Sequence, residues 1–228
     1  MFINRSLDVN VGPKFITVNN NDILEVLTKV ANNRLLKAHW SKTKDRLIAS
    51  IDFKEYAIDD ASLGGYIVPR LYVRNCNTGG EALSIGIGLY RLICANGLMM
   101  RFNDPFSARI RHVSGPKINS FLDELPTLIE NQVESITSGE VFDSAYEASQ
   151  VLIKNPIDVV ASLPVSNTVK DRAIAQIVNQ THRAEDNPHT AWGLYNLVNE
   201  LSRLRSRTEY NALNKDIGLL DHVLLLAA

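Results

Sequence analysis

Arginine and tyrosine alternate with aliphatic residues along the stretch from Tyr66 to Arg91, YIVPRLYVRNCNTGGEALSIGIGLYR. A guanidinium offers phosphate a planar fork of donors and a phenol ring stacks on a nucleobase, so the pairing suits a platform for single-stranded nucleic acid. Arg70, Tyr72 and Arg74 fall on one side of an alternating segment whose other side holds Ile67, Leu71 and Val73. In the next segment Ser84, Gly86, Gly88 and Tyr90 oppose Leu83, Ile85, Ile87 and Leu89. If the segments pair through the loop at Asn75 to Gly80, their polar sides lie side by side. The same pattern also describes a solvated sheet face whose glycines permit curvature.

Further cations extend this set. Arg91 closes the second segment, Arg101, Arg109 and Arg111 follow around an Asp104-Pro105 break, and Lys42 and Lys44 sit in a polar turn. The arginines would contact phosphates, Tyr72 and Tyr90 would stack on bases, and the two lysines would be peripheral. Trp40 and Trp192, each among apolar neighbours, read as core anchors.

Catalytic patterns are missing from the sequence. There is no phosphate loop, dinucleotide glycine pattern or Gly-x-Ser-x-Gly elbow. The five histidines form no metal-ligand pair, and Cys94 among apolar neighbours reads as a buried thiol rather than a nucleophile with His112 as its base. The expectation is a non-enzymatic protein without cofactor or metal.

The elements that would position these residues follow from periodicity. Asn19 to Asp22 offers caps for a helix to about Ala31, and Leu35 to Trp40 and Arg46 to Phe53 read as strands. A small strand is expected over Lys14 to Val18. From Ser114 the period becomes helical: a long helix containing Pro126, a second over Gly139 to Ile153, a third from Val169 to Asn179, a fourth after Asn187-Pro188, and a fifth between Thr208 and Leu226. The fold class is α+β: an N-terminal helix plus an antiparallel sheet, then a helical C-terminal half. Residues 1–113 form a strand-rich basic half and 114–228 a helical acidic half, packed as one domain.

With 228 residues, 45% of them hydrophobic, the chain can bury a substantial core. Its net charge of -1 hides an asymmetry: the first 120 residues hold 16 Lys+Arg and 10 Asp+Glu, the remainder 8 and 15. Opposite charges of this kind allow a basic binding face or head-to-tail contact between copies, so homo-oligomers are expected. Two cysteines without metal spacing suggest a reducing compartment, and the sequence has no apolar run of membrane length. The chain therefore reads as soluble and cytoplasmic, with no membrane partner.

The segment RLICANGLMM, Arg91 to Met100, resembles the arginine-cysteine-asparagine signature of a phage and plasmid family named only as a domain of unknown function. The preceding NCNTGGEALSI, the later His112 and TAWGLYNLVNELSR from Thr190 to Arg203 are similar to that family as well. The resemblance covers about Leu47 to the C-terminus and implies a mobile-element setting, in a host cytoplasm, without a fixed activity. The order of helix, antiparallel strands and long helix is also similar to Rad52-like annealing proteins. Single-stranded DNA binding or annealing in recombination or replication is thus the leading expectation. The alternative is an interaction protein that inhibits a host defence system, its arginines facing an acidic host protein.

Overall fold

The computed structural model describes residues 2–4, 9–11, 14–41, 45–79, 81–91, 96–97, 107–113, 115–204 and 219–227. Nine strands and seven α-helices lie within them. β1 (Phe2–Asn4) and β2 (Val9–Val11) pair with each other. α1 (Asn20–Ala31) leads into β3 (Leu36–Ser41), β4 (Arg46–Asp52), β5 (Ile58–Asp60), β6 (Gly65–Cys76), β7 (Leu83–Arg91), β8 (Asn96–Gly97) and β9 (Ser107–Ile110). The helices that follow are α2 (Gly115–Ser138), α3 (Asp143–Gln150), α4 (Pro156–Ser162), α5 (Asn167–Val178), α6 (Ala191–Leu204) and α7 (Leu219–Ala227). The expected α+β class is therefore correct.

Strands β3 to β9 form one antiparallel sheet in the order β3-β4-β6-β7-β8, with β5 added beside β6 and β9 beside β7. The chain builds two compact units, one from residues 1–53, 70–87 and 102–138, the other from 54–69, 88–101 and 139–228. β6 and β7 each pass from one unit to the other, so neither unit is a single continuous run of sequence.

In the first unit, alternation produces an apolar sheet face. Leu47, Ala49 and Ile51 of β4 stand opposite Asn75, Val73 and Leu71 of β6, and all six are buried. α1 supplies Ile23, Leu27 and Ala31 at helical spacing, and α2 supplies Ile118, Leu125 and Ile129. The N-cap of α1 is Asn19, whose side chain accepts from the Asn21 N–H at 3.0 Å, and Asn32 ends the helix in the left-handed region. α2 runs through Pro126, which is exposed.

The second unit is built around α6. Its first nine residues are all buried, and Trp192 donates its indole N–H to the Leu63 carbonyl at 2.9 Å, as befits the expected core anchor. Three expectations fail locally. Residues 14–18 form no strand, α4 lies where no helix was read, and the helix expected over Gly139 to Ile153 is broken. A short 3-10 turn at Glu140–Phe142, after Gly139 at φ 83°, precedes α3. Beyond α3, Leu152 bridges to Thr190 in extended backbone.

Candidate functional site

The polar face of the first unit's sheet follows from register. Lys37 pairs with Ser50 and Ser50 with Tyr72; His39 pairs with Ile48 and Ile48 with Arg74; Asp52 pairs with Arg70. On β7 the core-facing residues are Leu83, Ile85 and Ile87, which turns Ser84 to the polar side, and Ser84 pairs with Arg109 of β9. The structure thus brings Arg70, Tyr72, Arg74 and Arg109 to one face, with Lys37 and Arg46 at its margin.

Two of these side chains are not presented to solvent as the sequence suggested. Arg70 is 4% exposed, and its Nε and Nη2 donate to the two carboxylate oxygens of Asp52, the latter at 3.0 Å. Lys37 Nζ reaches the same carboxylate at 3.4 Å. Burial alone would raise the Asp52 pKa, but hydrogen bonding and charge from Arg70, with Lys37 behind it, hold the carboxyl below its ordinary value. A buried guanidinium needs a counter-charge, and Arg70 has one built in. Tyr72 is 4% exposed, with the Arg74 guanidinium 6.0 Å from its ring centroid.

The solvent-facing cations of this unit lie elsewhere. Arg109 and Arg111 are exposed, and Arg74 is half-buried. Arg46 donates Nε to Cys76 Sγ at 3.2 Å and stands 4.0 Å from Glu81. Next to Arg111, His112 is buried, stacks on Phe15 at 4.9 Å between ring centroids, and places Nδ1 2.8 Å from the Ile16 carbonyl. Burial pushes its pKa below the usual histidine value despite that contact, so the imidazole is neutral and joins two segments of backbone.

A polar cluster absent from the sequence reading occupies the hairpin end of the sheet. Asp45, in the left-handed region at φ 39°, accepts from Asn20 Nδ2 at 2.9 Å, Trp40 Nε1 at 2.9 Å and Asn77 Nδ2 at 2.7 Å. Asn77 also bonds both the N–H and the carbonyl of Val18, and Asn75 Nδ2 donates to Asn20 Oδ1 at 2.7 Å. The start of α1, the β3–β4 turn and the β6–β7 loop are tied together by these side chains. Trp40, expected in the core, is 39% exposed. The signal in the sequence was its place at the end of a strand directly before a charged turn.

Arg91 and Tyr90 belong to the second unit. Arg91 is 1% exposed and donates Nη1 to Asp186 Oδ1 at 2.7 Å, while Asp186 is fully buried. Burial raises the Asp186 pKa above its ordinary value, more than the Arg91 hydrogen bond and charge pull it down. Arg91 therefore anchors this unit and is not on a surface that phosphate reaches. Gly64, at φ 86°, leaves room for it: a Cβ there would lie 2.3 Å from Arg91 Nη1. Tyr90 is half-buried. Lys42, Lys44 and Arg101 lie outside the described residues, as does Cys94.

Among the described residues no group of three His, Cys, Asp or Glu side chains is arranged to hold a metal ion, and no helix is long and apolar enough to cross a membrane. Residues 10–224 match a family described as a domain of unknown function (DUF932). No curated protein and no solved structure matches the chain.

Proposed function

We propose, for a chain that belongs to the family described as a domain of unknown function (DUF932), a non-enzymatic role: binding nucleic acid, single-stranded DNA foremost, in recombination or replication of a phage or plasmid. The observation that carries the reading is the sheet register of the first unit, which gathers Lys37, Arg74 and Arg109 on one face, with Arg111 beyond the end of β9. Cations on every second strand of the sheet, about 10 Å apart at about 4.8 Å per strand, suit a phosphate chain better than a single compact anion. Arg70 and Tyr72 have a different part in it. Locked by Asp52 and packed beneath Arg74, they make a firm floor from which the outer cations project.

Lys42, Lys44 and Arg101 are further phosphate contacts in this reading. Arg91 is not, because its guanidinium is committed to Asp186. Copies of the chain associate as well: α2 carries exposed Asp123, Glu124, Glu130 and Glu134, opposite in charge to the face described above. The setting is the cytoplasm of the host cell.

The test is fluorescence anisotropy with labelled single-stranded DNA between about 50 and 200 mM salt. The parent protein binds with a steep salt dependence. In Arg74→Ala/Arg109→Ala two phosphate contacts are lost, so affinity falls and the log–log salt slope becomes shallower by about 1.4. Parent-like affinity and slope in that variant would remove this face from the account. If the parent shows no low-salt binding, a protein ligand becomes the better reading, and capture from host lysate would be the next experiment.

A further inference from the structure

We infer that the second unit encloses water against Asp186, held by the side-chain amides of Asn196 and Asn199 on α6. The buried atoms Asp186 Oδ2, Asn196 Nδ2, Asn196 Oδ1 and Asn199 Oδ1 find no hydrogen-bond partner among the described residues. Asn196 carries the inference furthest, since it is 1% exposed and neither end of its amide is bonded. A buried amide left dry in this way is costly, and protein interiors supply nearly every such group with a partner.

Helical spacing sets where Asn196 points. It stands four residues after Trp192, three after Gly193 and four before Glu200, so these residues share one side of α6. Trp192 Nε1 donates to the Leu63 carbonyl, a Cβ on Gly193 would collide with the Asn187 carbonyl oxygen, and Glu200 Oε1 accepts from Arg183 Nη2 at 2.8 Å. That side of the helix therefore faces the turn at Leu63 and Gly64 and the segment from Arg183 to Asn187. The Arg91–Asp186 pair joins those two places, because Arg91 lies against Gly64 and bonds Asp186. Asn196, about one turn from Trp192 and from Glu200, is turned toward the pair.

Arg91 Nη1 takes one oxygen of Asp186 and leaves the other. Asp186 Oδ2 and Asn196 Oδ1 need donors, whereas Asn196 Nδ2 needs an acceptor. A metal ion would meet only the oxygens, and would add positive charge beside a guanidinium; water meets both needs without charge. A water that accepts from Asn196 Nδ2 and donates to Asp186 Oδ2 links helix to loop. A second donates to Asn196 Oδ1 and to Asn199 Oδ1, whose own Nδ2 is already given to Tyr195 Oη at 3.3 Å. Each then has at least two partners, as enclosed water in proteins does.

The experiment compares NOE and ROE cross-peaks between water and the Asn196 side-chain amide protons in the folded parent. Water held in an enclosed site gives opposite signs in the two spectra, and passing surface water does not. Opposite signs are expected, and in Asn196→Leu, similar in volume but apolar, the amplitude of the water deuteron relaxation dispersion should fall. Missing or same-sign cross-peaks in the parent would overturn the inference, whether or not the variant folds. A parent-like dispersion amplitude in folded Asn196→Leu, or a crystal structure in which another part of the chain bonds the Asn196 amide directly, would do so too.

Discussion

Replacing Arg91 with alanine should unfold the second unit far more readily than the loss of its hydrogen bond to Asp186 suggests. The guanidinium is 1% exposed and its partner carboxylate is fully buried, so the substitution leaves the Asp186 charge without its bonded counter-ion in a site bulk water does not reach, with only the more distant Arg183 to offset it. Breaking a buried pair in this way costs about 3–5 kcal/mol, whereas replacing both members by apolar residues of similar volume is often close to neutral. Urea unfolding followed by Trp192 emission in a Trp40→Phe background measures the loss within the unit where it arises, since Trp192 is bonded to Leu63 beside Gly64. The expected order of midpoints is parent, then Arg91→Met/Asp186→Leu slightly below, then Arg91→Ala well below.

Acid supplies a second readout of the same charge. The Asp186 carboxyl in the fold is above its ordinary value through burial, and removal of Arg91 raises it further. A group whose folded pKa exceeds its unfolded value favours the fold at pH below the unfolded value, and that stability is lost as pH rises through the folded pKa. The deficit of Arg91→Ala relative to the parent should therefore be greatest at neutral pH and shrink toward about pH 4, the ordinary aspartate range. A variant with the parent's midpoint, or a deficit that grows on acidification, would refute the assignment of Arg91 as an anchor.

Asp45→Asn preserves side-chain shape but puts an amide where three donors converge, so acrylamide quenching of Trp40 should rise, and quenching equal to the parent's would contradict the anchoring role of Asp45. His112 is held neutral by burial, so the native state binds fewer protons than the unfolded chain as pH falls below about 6.5, and stability is lost over that interval. His112→Phe, which keeps the stack on Phe15, should lack this component; urea midpoints at pH 7.5 and 5 that change equally in both proteins would contradict it.

Periodicity revealed most of the scaffold because the sheet and the long helices each bury one face. The alternation of β4, β6 and β7 and the stripes of α1, α2 and α6 were plain for that reason. Residues 14–18 looked like a strand, but Asn77 satisfies both backbone groups of Val18, so a side chain takes the place of a ladder partner. Leu152 looked helical, yet it is exposed between half-buried Val151 and buried Ile153, a two-residue period too short to register beside α3. The α4 segment was passed over although Pro156 stands at a position where helices begin.

The cations were legible and their partners were not. Alternation assigned Arg70 to the polar face correctly, but solvent exposure depended on Asp52, whose register with Arg70 arises from pairing across strands. The Arg91 partner is 95 residues away in sequence, in the loop before α6, and no local pattern links the two. Trp40 was read into the core because its neighbours are apolar; an edge position exposes it regardless of composition.

The close approach of Gly64 to Arg91 also limits the order in which the two positions can diverge. A side chain at 64 meets the guanidinium at 2.3 Å and must adopt φ 86° as well, so substitution there is disfavoured while arginine remains at 91. Loss of the arginine first is disfavoured by Asp186, which is then stranded. Three positions far apart in the sequence, 64, 91 and 186, are therefore bound into one unit of inheritance, and lineages that depart from this trio should do so at several of these positions together.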